Sequence, residues 1–163
     1  MMSGRNRRPN RGAVRSRRLL QLRVFFNRRR EGRASHLIFS VKCFEFSQIH
    51  TLDISKDEVT GCMFRDKAES RKITSWTGDS GTFDFSPWKQ KVDLVYVDGS
   101  HEYEAVKFDS QVAFELVAKE GCIIWDDFLP SWPGVARALR ESPRSAQLRR
   151  IAGTKLVCHL EAA

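Results

Sequence analysis

The sequence predicts an α/β domain with a mostly parallel sheet, and one central segment carries that prediction. Two short apolar runs, Val92–Val97 and Gly121–Trp125, are rich in β-branched residues and are each followed by aspartate. Such runs are typical of strands buried on both faces. Between them, apolar residues recur every three or four positions from Ala105 to Val117, as in an amphipathic helix. A strand–helix–strand unit of this length makes the two strands parallel, with a right-handed crossover.

The charges around the predicted helix agree with its dipole. Glu102 and Glu104 would lie in the first turn and Lys119 in the last. Gly121 would then end the helix, because glycine is the common residue just after a helix C-terminus.

Three aspartates follow the two central strands. Asp98 comes directly after the first strand, and Asp126 and Asp127 come after the second. Neighbouring strands lie about 4.8 Å apart. The carboxyl ends of parallel strands share one edge, so we expect the three carboxylates to converge where open α/β sheets bind their ligands.

The elements before this unit also alternate between strand and helix. Ser35–Phe46 fits a helix or a strand, and we favour a helix because a strand would leave four residues for the next crossover. Ser55–Glu69 opens with the pattern of a capping box and is predicted to be a helix. Strands are predicted at Leu19–Phe26, Ile49–Ile54 and Ile73–Thr77, with loops at Asn27–Ser35 and Gly81–Gln90.

After the unit, Pro130–Pro133 is a predicted turn and Gly134–Glu141 a predicted helix. The last two apolar runs, Gln147–Ile151 and Lys155–Leu160, are separated by a turn that contains glycine. This spacing predicts a C-terminal antiparallel hairpin.

The net charge of +8 arises at the N-terminus. Residues 1–33 hold twelve arginines and one glutamate, a charge of +11, so residues 34–163 carry −3. Residues 1–18 have almost no apolar side chains, so we expect a disordered leader followed by one α/β domain over residues 19–163. The leader could be a solvated tail, a transit peptide or a nucleic-acid-binding arm, although it has no aromatic residue to stack on bases.

Composition also limits the location of the protein. No apolar run is long enough to span a membrane or to form a signal-peptide core. The four cysteines are widely spaced and form no C-x-x-C pair, which favours reduced thiols over disulfides or a zinc site. These features predict a cytoplasmic protein without a membrane partner, and they leave its oligomeric state open.

Asp53 is a candidate ligand-binding residue. It ends the predicted strand Ile49–Ile54 and lies 21 residues after Gly32. An acid at this position in dinucleotide-type folds accepts hydrogen bonds from ribose hydroxyls. Many strands also end in aspartate for turn reasons, so the spacing by itself leaves both interpretations open.

Taken together, the motifs resemble those of class I S-adenosylmethionine-dependent methyltransferases, in the bacterial subgroup with the motif D-G-S-H-x-Y. The segments that carry the resemblance lie between about Glu31 and Leu160, and they read T-L-D-I-S, W-T-G-D-S, D-G-S-H-E-Y, G-C-I-I-W-D-D-F, P-G-V-A-R-A-L and G-T-K-L-V. The resemblance implies a Rossmann-like sheet of strand order 3-2-1-4-5-7-6 with a C-terminal antiparallel hairpin. It also implies transfer of a methyl group to a hydroxyl of a small molecule or sugar.

The resemblance further implies roles for individual residues. The cofactor S-adenosylmethionine would be held by Gly32, Asp53, Asp79, Ser80 and Asp98, with Asp53 at the ribose and Asp79 and Ser80 at the adenine. A Mg²⁺ ion would be bound by Asp98, Asp126 and Asp127, and oxygen ligands of this kind suit Mg²⁺. Alternatively, these acids cap turns and helices.

Asp98 and His101 are the catalytic candidates. Asp98 would lie at the reaction end of the fourth strand. His101 follows the D-G-S turn and could act as a general base towards a substrate hydroxyl. It could equally cap the helix or orient Asp98.

The sequence departs from the family where relatives carry a glycine-rich loop, roughly L-E-I-G-x-x-x-G. Phe26 replaces the acid and Arg28 replaces the first glycine, while Gly32 keeps the second. Glycine at such a position lets the backbone approach the ligand closely. The first strand is therefore expected to be atypical or damaged, and a non-catalytic relative that keeps the fold is the alternative function.

Overall fold

The structure is a computed structural model that describes residues 48–54 and 68–162 and the backbone of residues 23–28. Its strands are β1 (Arg23–Arg28), β2 (Gln48–Asp53), β3 (Ile73–Thr77), β4 (Val92–Asp98), β5 (Val117–Trp125), β6 (Arg149–Arg150) and β7 (Val157–Leu160). Its α-helices are α1 (Tyr103–Leu116) and α2 (Pro133–Glu141), and short 3₁₀ helices occupy Ala68–Lys72, Ser86–Trp88 and Ser145–Gln147.

The seven strands form one open sheet in the order β3-β2-β1-β4-β5-β7-β6, which confirms the predicted order. β3, β2, β1, β4 and β5 pair in parallel, and β7 runs antiparallel to both β5 and β6. The predicted hairpin at the C-terminus is therefore present, with shorter strands than expected. Parallel strands need long crossovers, and α1 supplies the one between β4 and β5.

The first strand corrects the prediction made for it. The expected strand was Leu19–Phe26, with a loop from Asn27, but β1 includes both Asn27 and Arg28. Residues 19–22 lie outside the described part of the chain. The reason is its central place, since β1 pairs along its length with β2 on one side and β4 on the other. Backbone hydrogen bonds on both edges outweigh the weak strand preference of Asn and Arg.

The end of the first helix is a second correction. α1 ends at Leu116 and β5 begins at Val117, so Lys119 lies in the strand and Gly121 does not end the helix. Gly121 serves close packing instead, because a Cβ there would lie 2.8 Å from both the Ala118 carbonyl oxygen and a Val117 methyl carbon. This crowding occurs where the pairing of β4 with β5 shifts register.

The core lies between α1, α2 and the β4–β5 region. Its largest fully buried side chain is Trp125, whose indole N–H donates to the Ser110 hydroxyl at 3.0 Å. Around it pack Val95, Leu116, Ile123 and Leu139, among others. Burying residues of this size stabilises the fold by about 1.5–3 kcal/mol each. The elements that hold the carboxyl ends of β4 and β5 are therefore firmly packed.

Several predictions fall on parts of the chain that the structure does not describe. They are the leader 1–18, Gly32, the helix at Ser35–Phe46 and most of the helix at Ser55–Glu69. Within the described residues, no helix has the length and apolar character needed to cross a membrane.

Candidate active site

The segment D-G-S-H leaves β4 at its carboxyl end and forms a tight turn. The hydroxyl of Ser100 accepts a hydrogen bond from the Glu102 backbone N–H at 3.2 Å, just before α1 begins. The start of α2 packs directly on this turn. A Cβ at Gly134 would overlap the carbonyl oxygen of His101 and lie 2.9 Å from the Tyr103 nitrogen. Because residue 134 is glycine, the start of α2 can pack against the backbone of the His101 turn.

The His101 ring is fixed by two contacts. Its Nε2 lies 2.9 Å from Asp127 Oδ2, and its face stacks on Trp132 with ring centroids 3.9 Å apart. An ionised carboxylate can only accept, so Nε2 carries the hydrogen of this bond. A neutral ring then keeps its lone pair on Nδ1. The pair resembles the carboxylate–imidazole arrangement in which an acid orients a general base.

Asp126 lies beneath this pair and is buried. The Tyr96 hydroxyl donates to Asp126 Oδ2 at 2.7 Å, and the Asp127 backbone N–H donates to Asp126 Oδ1 at 2.7 Å. Burial, followed by the bond to Asp126, raises the pKa of Tyr96 far above its ordinary value, so Tyr96 remains a donor. These bonds hold Asp127 at φ +58°, a left-handed conformation that costs a non-glycine residue about 1 kcal/mol.

Lys155 completes the arrangement. Its ammonium group lies 2.8 Å from Asp127 Oδ1 and 3.1 Å from Asp126 Oδ1, so it bridges the two carboxylates. Burial raises the pKa of Asp127, but hydrogen bonds from Lys155 and His101 outweigh that effect and the net shift is downward. Burial lowers the pKa of Lys155, and its bonds to the two acids more than reverse this, so both partners remain charged.

Sequence reasoning did not single out Lys155, although the predicted hairpin contained the signal. β7 runs antiparallel to β5 and pairs Val157 with Trp125. The residues just before β7 must therefore lie beside those just after β5, which places Lys155 next to Asp127. The Phe128 N–H donates to the Lys155 carbonyl at 2.9 Å and confirms the juxtaposition.

The structure thus brings Asp126 and Asp127 together with His101, but with a lysine between the acids. All four carboxylate oxygens of the acid pair accept hydrogen bonds from protein groups. Within the described part of the chain, no group of three or more His, Cys, Asp or Glu side chains is arranged to hold a metal ion. As they stand, these residues do not offer Mg²⁺ the ligand set that the resemblance implied.

The other part of the carboxyl edge, where the resemblance would place the cofactor, lies over β1 and β2. Register places Arg28, the last residue of β1, directly between Asp53 of β2 and Asp98 of β4. The strand therefore ends at the position where the resemblance places the first glycine of the family's loop. The Gly78 N–H donates to the Asp53 carbonyl at 2.9 Å, which ties the end of β2 to the loop after β3.

Asp79 and Ser80 lie in that loop. One carboxylate oxygen of Asp79 accepts from the Gly81 N–H at 2.8 Å, and its carbonyl accepts from the N–H groups of Thr82 and Phe83 at 3.0 Å. Ser80 is buried. Asp79 therefore closes a turn through one of its carboxylate oxygens.

Comparison with protein families identifies the chain. A family model described as a methyltransferase domain matches residues 27–128, which is more than half of the 163 residues. The chain belongs to this methyltransferase family. The match covers the last two residues of β1 and all of β2, β3, β4, α1 and β5. It includes the turn that carries His101 and also the acid pair Asp126–Asp127.

Solved structures show the same class I methyltransferase fold. TDP-rhamnose 3′-O-methyltransferase CalS11 from calicheamicin biosynthesis aligns with a TM-score of 0.62 at 16% identity, over 86% of this chain and 72% of that one. O-methyltransferase TomG from Streptomyces achromogenes, in complex with S-adenosylmethionine, gives 0.62 at 13% identity, with coverages of 86% and 73%.

MycE from mycinamycin biosynthesis, in complex with Mg and S-adenosylhomocysteine, gives a TM-score of 0.60 at 18% identity. The alignment covers 88% of this chain but only 46% of MycE, so the chain spans about half the length of that relative. No curated protein matches the sequence.

Proposed function

We propose that this methyltransferase-family chain transfers a methyl group from S-adenosylmethionine to a hydroxyl of a small molecule or sugar. The observation that carries the proposal is the pairing of His101 with Asp127 at the carboxyl edge of the sheet. The family and fold supply the methyl donor class. The O-methyltransferases among the structural neighbours support oxygen as the acceptor atom.

His101 performs the central step of the proposed mechanism. S-adenosylmethionine, when bound, would supply an electrophilic methyl group on its sulfonium. His101 Nδ1 takes the proton of the substrate hydroxyl as the hydroxyl oxygen attacks that methyl group, whose bond to sulfur would break to leave S-adenosylhomocysteine. Asp127 stabilises the resulting imidazolium through its hydrogen bond to Nε2–H. Trp132 keeps the ring in its plane by stacking. The pocket between the His101 turn and Trp125 has a volume of only about 10 Å³, which is too small for a substrate.

The cofactor would lie over β1 and β2, and the positions of the described residues at the carboxyl edge support this part of the proposal. Asp53 ends β2 at the carboxyl edge, as required of a ribose-binding acid, and Asp98 ends β4 beside the reaction site. Asp79 and Ser80 follow β3, where the adenine would lie. Gly32 falls outside the described residues and stays a prediction.

The test separates chemistry from binding. His101→Gln and Asp127→Asn should lower the rate of methyl transfer about 10²–10⁴-fold, because the first removes the base and the second removes the carboxylate that orients it. The affinity for S-adenosylmethionine, measured by calorimetric titration, should not change in either variant. Formation of S-adenosylhomocysteine with a panel of deoxysugar nucleotides and phenols would report the rate. Unchanged turnover in His101→Gln would contradict the proposed base.

A non-catalytic methyltransferase relative is the second candidate, and one observation favours it. Arg28 ends β1 between Asp53 and Asp98, where the family's backbone approaches the cofactor. If calorimetry of the folded protein detects no binding of S-adenosylmethionine, this second candidate replaces the first. A nucleic-acid role for the Arg-rich leader and a cytoplasmic location both stay predictions.

A further inference from the structure

We propose that the Lys155 ammonium is the resident cation of the acid pair Asp126–Asp127, in the position where related enzymes would use a divalent metal, and that it makes the site independent of metal. This inference deepens the proposed function, because the same acid pair orients His101. It concerns a positioning residue, since Lys155 reaches the base only through Asp127.

Both the backbone and the side-chain ammonium of Lys155 are held by contacts. Its carbonyl accepts the Phe128 N–H at 2.9 Å, while its Nζ contacts Asp127 and Asp126. The turn before it is closed by Thr154, whose hydroxyl donates to the Ile151 carbonyl at 2.8 Å and accepts from the Leu156 N–H at 3.1 Å. The hairpin therefore delivers the lysine to the acid pair as a fixed part of the fold.

The ammonium group satisfies the acids that a metal would otherwise neutralise. The Asp126 side chain is only 1% exposed, and two adjacent carboxylates without a cation would repel each other at low local dielectric. Lys155 takes Oδ1 of each acid, which leaves Oδ2 of Asp127 for His101 and Oδ2 of Asp126 for Tyr96. A divalent ion would have to displace the lysine before it could bind either acid.

The ammonium also decides how Asp127 acts on the base. With Lys155 on one oxygen, the other oxygen remains the acceptor for His101 Nε2, and the lone pair of the ring stays on Nδ1. Removing the lysine frees Asp127 Oδ1 and leaves the buried Asp126 without its neutralising partner. The expected consequence is an acid pair that binds a divalent ion from solution.

Binding of Mn²⁺ to the full chain tests this directly and requires neither substrate nor S-adenosylmethionine. In the unmodified protein, millimolar MnCl₂ should not raise the melting temperature above that in sodium chloride of the same ionic strength. Lys155→Met should melt lower without metal and should gain Mn²⁺ binding. At about 100 times its Kd, Mn²⁺ should raise the melting temperature of Lys155→Met by roughly 5 °C or more.

Lys89→Met is the matched control. Lys89 also contacts a carboxylate at 2.8 Å, that of Glu115, but both side chains are exposed and lie outside the site. This variant should gain no Mn²⁺ binding. Lys155→Arg, which keeps a cation, should also gain none and should retain the orientation of His101.

Two results would overturn the inference. The first is binding of Mn²⁺ by the unmodified protein, which would be detected as a decrease in the electron paramagnetic resonance signal of free Mn²⁺. Lys155 would then not hold the cation position. This measurement stands even if Lys155→Met does not fold. The second is a folded Lys155→Met that binds no Mn²⁺. Failure of the proposed function would appear separately, as absent methyl transfer with these metal results unchanged.

Discussion

The carboxyl edge of the sheet has two halves, one over β4 and β5 and one over β1 and β2, and they differ in how far their residues match the expected site. Over β4 and β5, one continuous set of hydrogen bonds joins Tyr96, Asp126, Lys155, Asp127 and His101. Over β1 and β2, the strand that should lead into a glycine loop ends in Arg28, between two aspartates. The half that would handle the methyl acceptor is complete, whereas the half that would bind the cofactor departs from the family.

The contrast shows that the two tasks rest on separate segments. The acceptor half is built from residues 92–160 and is buttressed by the core around Trp125. The cofactor half depends on residues 23–80, which supply the ends of β1, β2 and β3. We therefore expect substitutions in one half to leave the proposed task of the other half unchanged.

Among the substitutions that would disturb one half of the edge and not the other, the one at Gly134 should have the largest effect. Gly134→Ala places a methyl group against the backbone of His101 and Tyr103, which cannot rotate away as a flexible side chain would. We expect unfolding by denaturant to show a loss of about 3 kcal/mol, together with reduced methyl transfer. Gly78→Ala is the control, because its Cβ would meet only side chains at 3.8 and 3.9 Å. Equal stability of the two variants would show that α2 does not support the His101 loop as described.

A smaller loss of stability is expected at Tyr96, whose hydroxyl contacts the buried Asp126 of the acceptor half. Tyr96→Phe leaves Asp126 Oδ2 without its donor in a buried site, so we expect a loss of about 2 kcal/mol in the free energy of unfolding. Tyr103→Phe removes an equally short bond of 2.7 Å, to Glu141, but at the exposed surface. It should cost less than about 0.5 kcal/mol. Similar losses in the two variants would mean that burial of Asp126 adds nothing to its bond.

The smallest effect is expected in the cofactor half, where a substitution at Arg28 should change the affinity for S-adenosylmethionine. Arg28→Gly restores the family residue at the end of β1 and removes bulk and charge where the backbone should approach the cofactor. Calorimetric titration should show S-adenosylmethionine binding about tenfold more tightly, which corresponds to about 1.4 kcal/mol. Arg150→Gly, on the exposed edge strand β6, should leave the affinity unchanged. An unchanged affinity in Arg28→Gly would remove Arg28 as the limiting feature.

The family resemblance supplied the strand order, whereas the residue pattern by itself determined the fold class and the place of the acids. The runs around Val95 and Ile123 and the helical spacing between them predict parallel strands, because burial on both faces and a right-handed crossover leave few other solutions. Parallel strands with their carboxyl ends at one edge then bring Asp126 and Asp127 beside the turn that carries His101. Local pattern sufficed here, since each inference rested on periodicity or on the direction of a strand.

Only the tertiary structure decided how these groups interact. Lys155 lies 28 residues from Asp127 in the chain and meets it because β7 returns antiparallel beside β5. β1 extends to Arg28 because strands on both sides pair with it, which its composition did not indicate. Gly134 is required by the approach of α2 to the His101 loop, and Gly121 by crowding inside β5. The contacts of Lys155, the extent of β1 and the requirement for Gly134 depend on segments far apart in the chain, and such contacts leave no periodic trace in the sequence.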